Sequence, residues 1–298
     1  LGGNILTRWT RTYSPRSQVS LQFYFDRADR HELRLGETLQ TTDVEFQHRF
    51  GWGERHELMW GLNYRLVRDR EDNGFVISFT PVGHSTSQVN GFVQDEITLV
   101  KDRLKLVAGV KLENVHFSDL EVQPNARLLW TPTPQQAYWF AFGHAVRMPT
   151  RVEKDSRLIV QSFSGPGGIP SALAVVGNPE FEGENLFAYE LGYRAQPNHR
   201  FSVDLAAFYN VYKDLRTREP AAPILETSPA PPHLLFPVAF GNKMRGESYG
   251  AEISATWNAT SNWKLRGAYS WLTLQLHLHA DSLDTTAVRC NPKIPGSI

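Results

Sequence analysis

Apolar and polar residues alternate along many short segments of this chain, most plainly in residues 103–112. Every second side chain there is apolar, and the intervening positions carry arginine, lysine, valine or glycine. Because successive side chains of a strand point to opposite faces, the pattern predicts a β-strand with one apolar wall and one polar wall. The apolar wall is Leu104, Leu106, Ala108, Val110 and Leu112, and the opposite wall is Lys105, Val107, Gly109 and Lys111.

About a dozen segments carry a comparable strand pattern, and no segment shows a sustained helical period. Valine, leucine, aromatic residues and threonine dominate these segments, as they do in strands generally. The sequence therefore predicts an all-β fold of about 12 antiparallel strands. The predicted strands are 4–13, 18–28, 38–50, 56–70, 87–99, 103–117, 123–131, 137–146, 186–196, 200–213, 246–258 and 262–278.

The connections between these segments alternate between short and long. The short ones contain Pro, Gly, Asn, Asp or Ser, which are the residues of tight turns. The alternation gives the two ends of the sheet different environments, which is typical of a transmembrane β-barrel with short periplasmic turns and long external loops. The short set is 14–17, 51–55, 100–103, 131–136, 196–200 and 259–262; the long set is 29–37, 71–86, 147–185, 214–245 and the tail after 278, with a short exception at 118–122.

Four tryptophans lie in or beside the short turns, and three of them fall on the apolar face. Tryptophan prefers the membrane–water boundary, where its ring is buried and its N–H stays wet. We therefore interpret these residues as an aromatic girdle, although aromatic residues are also common in strands of any kind. The four are Trp52, Trp130, Trp257 and Trp263.

Composition excludes several classes of protein. Lysine plus arginine equals aspartate plus glutamate, 31 each, so charge gives no argument for a nucleic-acid partner. No run of about 18 apolar residues is present, which excludes transmembrane helices. The single cysteine, Cys290, excludes an internal disulfide framework. The chain starts at Leu1 without a signal peptide and ends in a polar stretch, so we expect a piece of a longer protein.

Two of the long connections have an unusual composition. Residues 161–184 are rich in Gly, Pro and Ser around a small apolar stretch. Residues 216–237 hold six of the 18 prolines. Because proline removes a backbone donor, the second stretch is predicted to be an extended, partly mobile loop and not a central strand.

Residues 143–197 contain a recognisable motif: GHAVRMPTRVEKD, then a loop, then GNPEFEGENLFAYELGYRAQP. This stretch resembles the barrel of TonB-dependent outer-membrane receptors, and so do residues 91–113 and 201–217. Phe181 is a mild departure, since leucine is usual at that position of the family. The matching positions are Arg147, Met148, Pro149 and Thr150; Gly177, Asn178, Pro179, Phe181 and Glu184; and Tyr189, Glu190, Leu191, Gly192 and Tyr193.

The motif residues can also be interpreted structurally, without reference to the family. Arg147 ends a strand, Pro149 stops the ladder, and Asn178-Pro179 makes a turn that re-enters the wall. Glu190 lies on the face opposite Tyr189, and a carboxylate facing lipid is costly, so Glu190 is expected to face the lumen. We predict that most of these residues fix loop closure and wall geometry and do not contact a ligand.

The resemblance implies a specific architecture and activity. Such receptors are barrels of roughly 22 strands filled by an N-terminal plug. They bind a scarce nutrient such as a ferric siderophore, haem or cobalamin at the external face, and the TonB complex drives transport by pulling on the plug. The chain has neither a plug nor a TonB-binding segment, so it is expected to be a central to late barrel fragment in the outer membrane of a Gram-negative bacterium. No cofactor and no enzymatic activity are expected.

Ligand capture is expected in the external loops, chiefly 147–184 and 214–245. Arg151, Glu153, Asp155 and Arg157 alternate in sign, which suits either a charged ligand or a solvated loop. Polar residues on the inner wall are expected to contact the plug. The candidate ligand-binding residues are Arg151, Asp155, Arg157, Phe163, Asn178 and Glu184, and the candidate plug contacts are Lys105, Lys111, Glu190, Arg194, Asp204, Glu252, Lys264 and Arg266.

Other readings stay open at this point. His277 and His279 share a strand face and could ligate a metal, but no third ligand is evident. A passive porin-like channel shares the barrel pattern. A barrel-embedded hydrolase needs a nucleophile–base pair, and none is visible. A soluble β-sandwich predicts that the apolar faces pack against each other.

Overall fold

The computed structural model describes residues 1–32, 35–115, 119–228 and 231–286, and Cys290 lies outside these ranges. Its strands form a 16-stranded sheet accompanied by one short helix, α1 (Arg151–Asp155), and a 3₁₀ turn at Pro166–Gly168. The strands are β1 (Gly2–Ser14), β2 (Ser17–His31), β3 (Gly36–Trp52), β4 (His56–Asp72), β5 (Ile77–Phe79), β6 (Gly83–Val100), β7 (Leu104–Val115), β8 (Glu121–Thr133), β9 (Gln136–Arg147), β10 (Ser156–Ser164), β11 (Pro170–Val176), β12 (Glu184–Asn198), β13 (Phe201–Pro220), β14 (Ile224–Glu226), β15 (His233–Asn258) and β16 (Lys264–Leu278).

The twelve predicted strands are all present and form one continuous wall. Their order is β1-β2-β3-β4-β6-β7-β8-β9-β12-β13-β15-β16, and every neighbouring pair is antiparallel. The last two residues of the predicted strand 103–117 lie outside the described residues. Within the described ranges no pairing joins β1 to β16, so the wall is an open sheet there. The predicted all-β antiparallel fold is confirmed.

The apolar face of the wall is not covered by another layer of protein. Leu62 of β4, Leu191 of β12 and Tyr269 of β16 are 57%, 59% and 66% exposed. A soluble sandwich buries such residues between two sheets, so that alternative is wrong. A wall with an uncovered apolar face is what hydrocarbon contact requires.

Aromatic side chains form a row across the apolar face near the short turns. Trp130 of β8 stacks on Tyr138 of β9, with ring centroids 5.1 Å apart, and Tyr138 contacts Tyr193 of β12 at 4.6 Å. Trp257 and Trp263 are exposed beside the β15–β16 turn. This placement agrees with an aromatic girdle at one edge of an apolar band.

The apolar band on β12 covers nine residues. Its outward positions run from Phe187 to Ala195 at every second residue, and Phe187 stacks on His144 of β9 with centroids 4.3 Å apart. A transmembrane strand tilted by about 45° needs roughly 9–11 residues to cross the hydrocarbon core. The length of the band therefore matches one membrane crossing.

Three of the long connections do not form free loops but build a second part of the sheet. Strands β5, β10, β11 and β14 come from these connections. Strands β11 and β14 pair with the N-terminal part of β15, beyond the apolar band, while β10 pairs with β11 and β5 pairs with β10. We call this part, together with α1, the outer sheet. Strand β11 runs parallel to β15, which is a departure from the antiparallel wall. The connection predicted at 29–37 is wrong as a long loop, because β2 and β3 pair as far as His31 and Gly36.

The prediction for residues 216–237 is also wrong for the described residues of this stretch, 216–228 and 231–237. Strand β15 begins at His233 and includes Pro237, with β11 on one side and the β13–β14 segment on the other. The carbonyl of Pro237 accepts a hydrogen bond from the N–H of Ala221, which lies in the gap between β13 and β14. The missing donor of Pro237 points toward the same gap, so the proline interrupts no continuous ladder.

A small buried core lies in the outer sheet. Ile159 of β10, Ala172 and Ala174 of β11, and Leu235 of β15 are buried against each other, with Val176 beside them. The apolar stretch within 161–184 thus becomes strand β11, which pairs with β10 on one side and with β15 on the other. The outer sheet is a packed unit with its own apolar interior.

Candidate functional site

The junction between the wall and the outer sheet is built around one buried carboxylate. Glu153 of α1 is 1% exposed. Arg147, the last residue of β9, donates two hydrogen bonds to it at 2.7 and 3.0 Å, and Arg216 of β13 donates a third at 3.0 Å. The backbone N–H and hydroxyl of Thr150 add bonds at 2.9 and 3.1 Å. This network anchors α1 to two strands of the wall.

The electrostatics of this junction favour the ionised pair. Burial by itself raises the pKa of Glu153, but the hydrogen bonds from Arg147 and Thr150 outweigh burial and hold the pKa below the ordinary value. The pKa of Arg147 is raised in turn by its bonds to Glu153 and Glu184. The carboxylate therefore stays charged at neutral pH, and its desolvation is offset by five hydrogen bonds.

The second half of the family motif closes the same junction from the other side. The side-chain amide of Asn178 donates to the carbonyl of Phe240 at 3.0 Å, and its oxygen accepts from the N–H of Glu180 at 3.0 Å. Pro179 follows, and its carbonyl accepts from Lys154 of α1 at 2.8 Å. These bonds fold the turn back onto β15 and α1.

Glycine at position 177 is required by a close approach of two backbones. A Cβ atom on Gly177 would lie 2.5 Å from the carbonyl carbon and oxygen of Lys154 and 2.6 Å from the nitrogen of Asp155. All three contacts are with the backbone of α1, which cannot move aside as a flexible side chain can. Phe181, the departure from the family pattern, is 1% exposed and packs edge-on against Phe240.

Glu184 links the junction to the wall. One carboxylate oxygen is bonded to Nε of Arg147, and the other accepts the backbone N–H of Arg216 at 2.7 Å. Pro149 lies between the end of β9 and α1, where the ladder stops. The first half of the motif, Gly177, Asn178 and Glu184 are therefore brought together at one place.

The last part of the motif lies elsewhere, in the wall. Tyr189 and Tyr193 point outward and contact Phe142 and Tyr138 of β9. Glu190 is on the opposite face from these tyrosines, as the register shows. On that inner face the indole of Trp139 crosses Gly192 so closely that a Cβ atom there would overlap the ring. Only glycine leaves room for Trp139 at this point of the wall.

Arg151 connects the outer sheet to β4. Its guanidinium pairs with Asp69 of β4 and also reaches Asp155 at 3.4 Å, and its carbon lies 5.1 Å above the ring of Phe79. The side chain is only 12% exposed. Asp69 lies beyond the apolar band of β4, and burial raises its pKa although Arg151 opposes the shift. Burial and the neighbouring Glu37 likewise raise the pKa of Glu71.

Arg157 and Phe163 lie on the far side of the outer sheet. Arg157 pairs with Glu226 of β14 at 2.6 Å, and His233 of β15 contacts the same carboxylate at 3.2 Å. Nε of Arg157 is buried and has no hydrogen-bond partner within the described residues. A cavity of about 200 Å³ opens beside Phe163 and His233, lined by Phe75, Ser162, Phe163, Pro170, Ser171, Ala172, Pro231 and His233.

Sequence reasoning named most residues of the junction but missed their partners. The expectation of a solvated charged loop at residues 151–157 is wrong for Glu153, which is buried. Arg216, Asp69 and Glu226 were missed because they are distant in sequence from residues 147–157, with Asp69 in β4 and the other two after residue 213. The signal that was present is the Thr150–Glu153 spacing, which is the pattern of a helix capping box.

No group of three or more His, Cys, Asp or Glu side chains in the described ranges is arranged to hold a metal ion, and His277 lies on β16 opposite Arg245. In the part of the chain that the structure describes, no helix is long and apolar enough to cross a membrane.

The family model for the TonB dependent receptor-like β-barrel matches residues 3–293. The chain belongs to this family. TonB-dependent receptors are transporters of the Gram-negative outer membrane and not enzymes. No curated protein sequence matches the chain.

Solved receptor structures share the fold of this TonB-dependent barrel. The siderophore receptor PirA from Acinetobacter baumannii matches 90% of the chain with 13% identity and a TM-score of 0.68. The FrpB iron transporter from Neisseria meningitidis matches 94% with 12% identity and a TM-score of 0.65. A variant of the ferric enterobactin receptor PfeA from Pseudomonas aeruginosa matches 90% with 15% identity and a TM-score of 0.67. The chain spans 44% of each of these three proteins.

Proposed function

We propose that this chain is the barrel part of an outer-membrane receptor that imports a scarce nutrient, such as a ferric siderophore, haem or cobalamin, with energy from the TonB complex. The observation that carries the proposal is the outer sheet. Connections from three separate parts of the wall meet there in one packed unit beyond one edge of the apolar band. A folded face built from several loops on a rigid scaffold suits capture of a specific ligand.

Within the outer sheet, Phe163 is the predicted residue that lines the cavity of about 200 Å³, where it is 39% exposed. Arg157 pairs with Glu226, and the same carboxylate contacts His233 of the cavity lining. The other four predicted residues, Arg151, Asp155, Asn178 and Glu184, bond to neighbouring elements of the chain. In the proposal they position the ligand-binding surface.

A plug inside the barrel is the proposed partner of the inner wall, and the TonB complex acts through it. The inner wall carries charges of both signs that already form pairs: Lys105 with Glu96 at 2.6 Å and Arg194 with Asp204 join neighbouring strands, and Lys111 pairs with Glu113 on the same strand at 2.5 Å. A mixed polar surface suits contact with a folded domain better than a pathway for ions of one sign. Further strands of the same barrel are proposed to pair with the edges of β1 and β16.

Growth of a starved, receptor-deficient strain tests the proposal. The full-length gene is expressed, and ferric siderophores, haem and cobalamin are supplied one at a time. We expect one class of compound to restore growth, and we expect deletion of TonB to abolish that growth. A paired Phe75→Ala and Phe163→Ala variant is expected to need a higher ligand concentration. A matched control is Phe140→Ala, which removes an exposed aromatic ring from the wall.

The passive-channel alternative predicts a different result. A porin-like barrel restores growth independently of TonB, and it does so for many small solutes at once. Growth that persists after TonB deletion would therefore overturn the receptor proposal and favour the channel.

A further inference from the structure

The outward face of the wall contains a depression between β12 and β16. Ala207 of β13 and Ala251 of β15 are directly paired across the two strands. In the same row, Leu191 of β12 is paired with Ala207, and Trp271 of β16 is paired with Ala251. Two adjacent alanines are thus flanked on both sides by large side chains.

The rows on either side of the alanines are also bulky. Leu205 and Ile253 are paired one row nearer the short turns, and Tyr209 and Tyr249 are paired one row nearer the outer sheet. Residues two apart on a strand share a face, so all four surround the alanines on the outward side. The register therefore leaves a depression over the two alanines, with larger side chains in the neighbouring positions and rows.

This depression is a cavity of about 750 Å³. This volume falls within the range of about 300–1,000 Å³ that is usual for small-molecule sites. Glu252 is the single charged residue of the lining, and its pairing with Ala206 places it on the inner face. Tyr138, Tyr193 and Tyr269 line the end nearest the short turns. The cavity is therefore apolar, with tyrosine hydroxyl groups at one end.

We propose that this cavity binds an acyl chain of one phospholipid from the leaflet on the short-turn side of the outer membrane. The inference rests on the membrane placement in the proposed function. The cavity opens from the nine-residue apolar band, where hydrocarbon is the surrounding medium. A chain lying over the alanines contacts protein on several sides, whereas a flat wall contacts it on one. The tyrosines lie at the level where headgroups meet the apolar core.

Lipid retention on the purified protein tests the inference. The full-length receptor is extracted from outer membranes in a mild detergent, washed, and examined by native mass spectrometry and lipid extraction. We expect the wild-type protein to carry one phospholipid per chain. Ala207→Trp and Ala251→Leu both fill the cavity, so each is expected to retain about tenfold less lipid. The matched control is Ala126→Leu, which adds the same bulk to the outward face of β8, between Ala108 and Phe142.

The outcomes separate the two proposals. Wild-type protein without lipid, or equal retention in all variants, overturns the lipid site while leaving the receptor intact. A dimer without lipid shows that a second copy covers the cavity and also overturns it. Membrane fractionation and heat-dependent gel migration check that every variant is folded and inserted. Wild-type protein absent from the outer membrane counts instead against the proposed receptor function.

Discussion

Arg151 and Asp69 are 82 residues apart in the chain, yet their ion pair joins the outer sheet to the wall. Arg151 belongs to α1 and Asp69 to β4, and both side chains are largely buried. Next to this pair, the N–H of Thr80 donates to Asp155 at 3.1 Å, and the N–H of Ile159 donates to Val76 at 2.8 Å. The pair and these two backbone bonds hold the connection between β4 and β6 against β10.

The Arg151–Asp69 pair is expected to show strong coupling in a double-mutant cycle. Arg151→Met leaves the buried carboxylates of Asp69 and Glu71 without a cation, so this single change is the most damaging. Adding Asp69→Asn removes one of these buried charges and part of the lost stability. We therefore expect a coupling free energy of about 1–3 kcal/mol between the two positions. Hydrogen exchange at the amides of Thr80 and Ile159 measures the effect. Additive single changes would show that the pair does not hold the connection.

Glu153→Gln is expected to loosen the junction without unfolding the wall. The change removes a buried charge on which Arg147 and Arg216 converge, and we expect a cost of about 2–4 kcal/mol to α1 docking. Limited proteolysis within residues 148–183 reports the loosening. The control is Glu180→Gln, which alters an exposed carboxylate two residues after Asn178. Equal cleavage of both variants contradicts the anchoring role of Glu153.

Gly177→Ala is expected to displace α1. The new Cβ atom lies 2.5 Å from the backbone of Lys154, so either the helix or the turn has to move. We expect a loss of about 1–3 kcal/mol, as for other overpacked sites, and faster exchange of the Asn178 amide, which bonds to the carbonyl of Glu153 at 2.8 Å. Gly143→Ala is the control, since a Cβ there meets open space. Unchanged exchange in the Gly177 variant refutes the close-packing argument.

Acid is expected to release α1 at a pH set by Glu153. The pKa of Glu153 is lowered in the folded protein, so its contribution to stability is fully present above the ordinary glutamate pKa of about 4.3. That contribution is lost as the pH falls through the lowered value. Exchange protection of α1 should therefore stay constant from about pH 8 to pH 5 and decline only in stronger acid. Glu153→Gln should lack this decline, and a loss of protection at higher pH in the wild type would point instead to Asp69 and Glu71, whose pKa values burial raises beside Arg151.

The wall could be derived from the sequence because strand polarity is a local property. A period of two, together with short Gly, Pro and Asn turns, determines which residues of 103–112 or 201–211 face outward, whatever the distant strands do. The motifs in residues 143–155 and 177–197 also indicated the family. The structure differs from the predicted wall mainly in its longer strands, since each strand continues for as long as it pairs with its neighbours.

The outer sheet depended on tertiary structure. Its strands are short or contain proline, and none has a clear alternation of apolar and polar residues. Strand β5 has three residues, and the N-terminal part of β15 contains Pro237. Burial of Ile159, Ala174 and Leu235 against one another stabilises them only after two connections meet, one between β9 and β12 and one after β13. The sequence by itself determined the membrane-facing alternation, because that depends on neighbouring residues. The burial of Glu153 and the pairing of Arg151 with Asp69 were decided by tertiary packing, because each joins residues that only the folded chain brings together.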